Sequence, residues 1–255
     1  MNKSQKTIVG IAFLGLASGS CVAQDDEDGP AGFTYATYYV CDVATQGDMD
    51  TVVETTEKAV FDKRVKDGKL LAWGYLSHFT GGRWRRAQYH VSPTMADALI
   101  AQAAIFSEIY GNGRNQQAGQ TRAEACEAHD DYVWAVGQGS GPDTDRGDVS
   151  LSVYYVCDIT REERADEIVA AGPGPKLDEL QKEGKIKSWG WSLHRIGGRF
   201  RRLQTITGDD YASVVAARND VLQHMSENHS ELGAEFTDIC GSHTDYLWDI
   251  VHEAP

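Results

Sequence analysis

The chain has 255 residues, of which 41% are apolar and 24% charged, with a formal net charge of −14; this is the profile of a globular protein with a buried core, not of a disordered or fibrous one. So large an excess of acid argues against nucleic acid as a partner, because phosphate binding needs a basic face. The arginines gather in two short stretches, which leaves room for local positive potential inside an acidic molecule.

In chain order, Lys3 and Lys6 precede an apolar run from Ile8 to Ala17, too short to span a bilayer, and small residues follow to Ala23. This reads as a signal peptide over residues 1–23. The competing reading is a lipobox ending at Cys21, with Ser18 where leucine is usual, which would make the protein a lipoprotein. Both readings place it outside the cytoplasm, periplasmic or secreted, with membrane contact only through a lipid on Cys21. Residues 24–32, QDDEDGPAG, read as a flexible acidic tether.

Phe33 to Asp42 is aromatic and β-branched, a strand. Asp48 to Lys66 carries a helical apolar period, and Gly68 suits the position after a helix end. Lys69 to His78 and Arg83 to Val91 are strands joined by a turn with Gly81 and Gly82. Pro93 and a Thr94/Asp97 capping box open a helix that runs to about Tyr110. GNGRNQQAGQ reads as a polar loop, and Asp131 to Val136 as a last strand. Gly137 to Asp148 is a linker. The same order then recurs. Ser150 to Asp158 is a strand, and Thr160 to Glu163 reads as a capping box. The helix after it breaks near Gly172-Pro173. A second hairpin follows, then a helix capped by Asp209 or Asp210, and a closing strand within Cys240 to Ile250.

The recurrence is literal in the hairpins. GKLLAWGYLSHFTGGRWRRAQ (68–88) and GKIKSWGWSLHRIGGRFRRLQ (184–204) align without a gap at an offset of 116 residues. Each half reads β-α-β-β-α-β: a first repeat over 33–136, a linker over 137–149, a second repeat over 150–251 and a tail over 252–255. The fold class is α+β, two tandem ferredoxin-like repeats. In that arrangement strand 4 lies antiparallel beside strand 1. Cys41 and Cys157 end the first strands, and Cys126 and Cys240 precede the fourth. Disulfides Cys41–Cys126 and Cys157–Cys240 are therefore expected, closing long loops in an oxidising compartment.

A ferredoxin-like sheet leaves one face open, and two fused copies can bury those faces against each other. Here the chain resembles the dimeric α+β barrel superfamily, which includes antibiotic-biosynthesis-type monooxygenases and related oxygenase, isomerase and haem-binding groups. The resemblance covers residues 33–251 as architecture and implies a pseudo-dimeric barrel. No catalytic motif of a named family accompanies it.

Strand alternation puts Trp73, Arg86 and Gln88 on one side of the first hairpin, with Trp189, Arg202 and Gln204 in the second. These six are the candidates for lining a cavity between the sheets, one suited to a small anionic or aromatic ligand. The other face, with Ala72, Gly74 and Leu76, has small residues suited to close packing against helices. The structural alternative pairs Arg86 and Arg202 with Asp42 and Asp158. His78 and His194, at the strand ends before the glycine turns, are candidate general bases or haem ligands, or structural histidines. Cys-x-x-His at Cys126 and Cys240 admits a metal site, against which the disulfides weigh; no metal is expected. No Cys-x-x-Cys-His, phosphate loop or nucleophile elbow is present, and no cofactor is expected. The reading is an exported binding or structural protein of the cell envelope. The alternative is a cofactor-independent oxygenase or isomerase, with His78 or His194 as base and Arg86 or Arg202 steadying an enolate.

Overall fold

The computed structural model describes residues 30–140 and 145–254. The proposed signal peptide, Cys21 and most of the tether lie outside the described residues. Among the described residues, no helix is long and apolar enough to cross a membrane.

The first half runs β1 (Phe33–Val40), α1 (Gln46–Val52), a π-helical turn (Val53–Glu57), α2 (Lys58–Lys66), β2 (Ala72–Gly81), β3 (Arg86–Ser92), α3 (Met95–Tyr110), α4 (Gln116–Ala125) and β4 (Ala128–Gly139). The second runs β5 (Val149–Val156), α5 (Glu162–Ala171), α6 (Pro173–Lys182), β6 (Ser188–Ile196), β7 (Arg202–Gly208), α7 (Tyr211–Asn228), α8 (Ser230–Ile239) and β8 (Ser242–Ala254). The strands close into one antiparallel barrel in the order β1-β3-β2-β8-β5-β7-β6-β4. Within each half the order is 4-1-3-2. The halves meet at two seams, β2 with β8 and β4 with β6. Closure leaves no open sheet edge.

Caps and turns largely follow the local chemistry. Thr94 Oγ1 accepts from the Asp97 N–H, and an Asp210 carboxylate oxygen accepts from the Ser213 N–H, so α3 and α7 begin where a side chain satisfies a free backbone donor. Gly81 and Gly197, at φ +132° and +137°, sit where a side chain would strike Asp245 and Tyr132 respectively. Thr160 caps nothing. Its hydroxyl and N–H both donate to Asp158, and α5 starts later, at Glu162. The polar stretch after Tyr110 contains helix α4, and α8 fills the equivalent place in the second half. α4 has no apolar stripe in sequence and buries only Ala125, whereas α8 sets Leu232, Phe236 and Ile239 at helical spacing against the second-half core. β8 runs on through His252, Glu253 and Ala254, residues the sequence places in a tail.

Three cores result. One lies between helices and sheet in each half, around Phe61, Trp73 and Ile105 in the first and Ile168, Leu177 and Trp191 in the second. The third is inside the barrel: Tyr38, Trp84, Tyr132, Trp134, Tyr154, Phe200, Tyr246 and Trp248. Disulfides Cys41–Cys126 and Cys157–Cys240 join the end of the first strand to the start of the last in each half, as the strand order requires. These bonds occupy the cysteines of both Cys-x-x-His motifs. His129 and His243 instead contact Asp131 and Asp245 at 3.1 and 2.6 Å.

Candidate functional site

The barrel interior is divided along its length. One end is packed with aromatic rings: Tyr38 stacks on Trp84 with centroids 4.3 Å apart, and Tyr132 and Tyr246 stack on Trp134 and Trp248 at 4.9 and 4.8 Å. The other end holds a cavity of about 240 Å³. Tyr38 and Tyr154 form its floor, and burial holds both phenols well above their ordinary pKa, so they remain protonated donors at neutral pH.

The six residues expected to line such a space mostly face the other way. Trp73 Nε1 donates to Asp62 on α2 (2.8 Å), and Trp189 Nε1 donates to Asp178 on α6 (2.8 Å). Arg86 clamps Asp50 through Nε and Nη2 at 2.5 and 2.6 Å. Arg202 clamps Asp166 at 2.6 and 2.8 Å and also reaches Glu162. Gln88 donates to Glu57 at 2.7 Å. Gln204 shares the face of Arg202 in β7. Of the six, only Trp189 touches the cavity. The arginines are ion-paired with aspartates as the structural alternative holds, but with Asp50 and Asp166 of α1 and α5, not Asp42 and Asp158.

Two physical reasons account for the exchange of faces. The expectation sets large residues toward the interior and small ones toward the helix layer, whereas the small face of β2 and β6 is what leaves the cavity open. Strand parity also breaks at the double arginines. The Arg85 N–H donates to the Tyr39 carbonyl while Arg86 is Tyr39's partner in register, so two residues oppose one; Arg201 and Arg202 do the same at Tyr155. Such a bulge reverses the alternation. Trp84 and Phe200 therefore point inward although Arg86 and Arg202 point out.

His78 and His194 lie at the aromatic end, edge-on to Trp248 and Trp134 at 6.0 Å, and neither lines the cavity. Burial, then the neighbouring Arg85 and Arg201, lowers both pKa values, so both imidazoles are neutral near pH 7. His194 Nδ1 meets Arg201 Nη1 at 2.7 Å.

The cavity wall is one-sided. From the first half come Ala36, Ala72, Leu76, Ala87 and Val91; at the equivalent positions of the second half, Ser152, Ser188, Ser192 and Leu203 line it, with Thr205 opposite Tyr89. Above the floor tyrosines, the first-half wall is apolar but for Thr34 and the rim's Tyr89, whereas the second-half wall carries the hydroxyls of Ser150, Ser152, Ser188, Ser192 and Thr205.

At the rim a charged trio closes the first-half side. Gly74 lies in register between Tyr89 on β3 and Glu253 on β8. A Cβ there would come within 2.5 Å of the Tyr89 ring, so only glycine lets the ring cross β2 and its hydroxyl donate to Glu253. Arg146, from the segment before β5, donates through Nη1 to Glu253 at 2.6 Å and to Tyr89 at 2.8 Å, and through Nε to Ser188 at 3.2 Å. The second half has Thr205, Gly190 and Gly139 at the corresponding register, and no acid. Sequence reading missed this trio because its members lie far apart in the chain, and Arg146 and Glu253 fall in the expected linker and tail. The Tyr89/Thr205 mismatch at a repeat position was the available signal.

No family model matches the sequence, and no curated protein matches it significantly. Solved structures do. An anthrone oxidase-like protein superposes with a TM-score of 0.56 at 11% identity, over 88% of this chain and 92% of that one. A Lactobacillus acidophilus protein described as a proposed monooxygenase gives 0.58 at 8%, over 88% and 96%. A heme-binding protein from Thermus thermophilus gives 0.51 at 8%, over 88% and 92%. The fold is that of the dimeric α+β barrels. In this α+β barrel one end of the interior is open, and most of the polar groups there belong to one wall and one rim.

Haem does not fit the space. Among the described residues the cavity lining holds no histidine, cysteine or methionine to ligate iron; its tyrosines, Tyr38, Tyr89 and Tyr154, are kept protonated by burial, and the layers between sheet and helices are filled by packed cores in both halves.

Proposed function

We propose that this chain binds a small, flat, largely apolar molecule bearing oxygen atoms along one edge, and converts it by cofactor-independent oxygenation or isomerisation. The unequal cavity walls carry this reading: a largely apolar wall for a ring face, a row of hydroxyls on the opposing wall for carbonyl or phenol oxygens, and an arginine at the rim. The enzymatic reading gains on the purely binding one because the polar groups break the repeat. Packing has to be solved in both halves, whereas one site need be built once.

The chemistry that suits such a lining starts from a C–H activated by a carbonyl, either adjacent to it or, as in anthrone, conjugated with it through a ring. Loss of the proton leaves an enolate whose charge falls on the oxygen facing the hydroxyl wall and Arg146. Returned to another carbon, the proton completes an isomerisation. In the presence of dioxygen the electron-rich carbon is oxidised instead, a methylene becoming a carbonyl while the second oxygen atom leaves as water. The two disulfides and the N-terminal apolar segment support an exported protein, and the 116-residue offset supports two fused ferredoxin-like repeats.

Anthrone, a three-ring ketone with an activated methylene, is the test ligand. Ser192→Leu installs the residue that the first half carries at Leu76 and thickens the hydroxyl wall. The expected outcome is anthrone binding by the wild type, read by tryptophan fluorescence, and affinity at least tenfold weaker in the variant with an unchanged melting temperature. Equal affinity in the two proteins would sink the cavity reading.

A further inference from the structure

The structure assigns to Glu253 the role of the proton-abstracting base, with Tyr89 and Arg146 positioning it; this rests on the cavity reading above. Glu253 is a cavity-lining carboxylate with a side chain only 14% exposed. Both of its hydrogen bonds, from Tyr89 and from Arg146, fall on the same oxygen, Oε1. Oε2 has no partner among the described residues. A carboxylate held by one oxygen and open at the other is the arrangement a general base needs: a fixed direction and an unoccupied lone pair.

The neighbours distinguish this trio from a structural ion pair. The repeated clamps Arg86–Asp50 and Arg202–Asp166 engage both carboxylate oxygens and stand outside the barrel. The rim trio engages one oxygen, stands at the cavity, and occurs once. It is also sited against the hydroxyl wall: Arg146 bridges from Glu253 to Ser188, so abstraction at the rim and oxygen stabilisation on the far wall are tied through a single side chain. Tyr89, kept protonated by burial, donates throughout and does not compete for the substrate proton.

In the step itself the substrate C–H bond breaks and an O–H bond forms on Glu253 Oε2. The electron pair moves through the conjugated carbon framework onto the carbonyl oxygen, which accepts hydrogen bonds from the hydroxyl wall. Reversal returns the proton. No oxidant enters this step, which allows it to be tested alone.

The experiment is anaerobic deuterium wash-in at the methylene of anthrone in D2O, followed by mass spectrometry, on wild type, Glu253→Gln and Tyr89→Phe. Glutamine keeps the size and an acceptor oxygen for Tyr89. The expected result is accelerated exchange by the wild type and a loss of roughly a hundredfold in Glu253→Gln, with anthrone affinity retained within about threefold, a change too small to account for it. Tyr89→Phe is expected to fall between the two, with kcat reduced more than KM rises. Exchange by Glu253→Gln at the wild-type rate would overturn the assignment, as would a wild type that binds anthrone without accelerating exchange; both leave the cavity reading standing. A wild type that binds no anthrone would overturn the two together.

Discussion

Single residues in this molecule show how burial converts a side chain into a pH-dependent term. His90 on β3 is 1% exposed, stacked on Tyr35 and bonded through Nε2 to Gln102 at 3.2 Å. Burial, outweighing the Gln102 bond, lowers its pKa to about 4. In the unfolded chain it titrates near ~6.5. Above that pH both states are neutral and His90 adds no slope. As pH falls from 6.5 toward 4 only the unfolded state takes the proton, so stability drops, by about 1.4 kcal/mol per pH unit and on the order of 3 kcal/mol in all. His90→Gln should remove that slope; urea unfolding of both proteins at pH 4.5 and 7.5 measures it, and an unchanged difference would refute it. Arg202 makes the opposite case, a charge kept by its partners. Replacing it with leucine leaves Asp166 without its cation under α5, while Glu162 keeps Arg201, and should cost about 3–5 kcal/mol. Because it faces away from the cavity, ligand affinity of the folded variant should not change; a loss of binding at full stability would contradict the orientation described here. That Arg202 sits in an aspartate pair was legible from its repetition. Which aspartate was not, because Asp166 meets it only once α5 is laid on the sheet.

At the scale of elements, the corners where strand 1 ends and strand 4 begins are held twice. Cys41–Cys126 and Cys157–Cys240 bridge them, and the N–H groups of Asp42 and Asp158 donate to the carbonyls of Ala125 and Ile239 at 3.0 and 2.9 Å. Loss of a disulfide therefore loosens the unfolded chain more than it opens the folded corner. Cys157→Ala/Cys240→Ala should lower unfolding free energy by about 2–5 kcal/mol, while the far-ultraviolet circular dichroism stays that of the wild type; loss of the native spectrum would show that the backbone bonds cannot hold the corner alone. These bridges were readable because cysteine position and strand order constrain each other. Helix α4 was not, since it presents almost no apolar face and is set by the corner it leads into; α8 carries a readable stripe, Leu232, Phe236 and Ile239, in a stretch the sequence analysis leaves without an element. Nor was the bulge at Arg85 and Arg86, where two outward arginines in succession are indistinguishable in sequence from an ordinary alternation.

For the molecule as a whole, closure of the barrel was readable and its filling was not. Each half supplies a sheet with an unsatisfied face, and the β2·β8 and β4·β6 seams cover both faces at once. How far the interior fills depends on pairs such as Leu76 and Ser192, or Tyr89 and Thr205, whose distance across the barrel no local pattern reveals. The aromatic end is nearly the same in both halves, and the open end differs. A barrel made of two identical chains presents every group twice, related by a two-fold axis, and a ligand lying on that axis can turn end for end at no cost. In this single chain the turned ligand would set its oxygens against Ala36 and Leu76 and its ring against Ser152 and Ser192. The cavity thus distinguishes left from right: an unsymmetrical ligand enters in one sense, and of two chemically similar carbons on opposite edges only one comes to the rim.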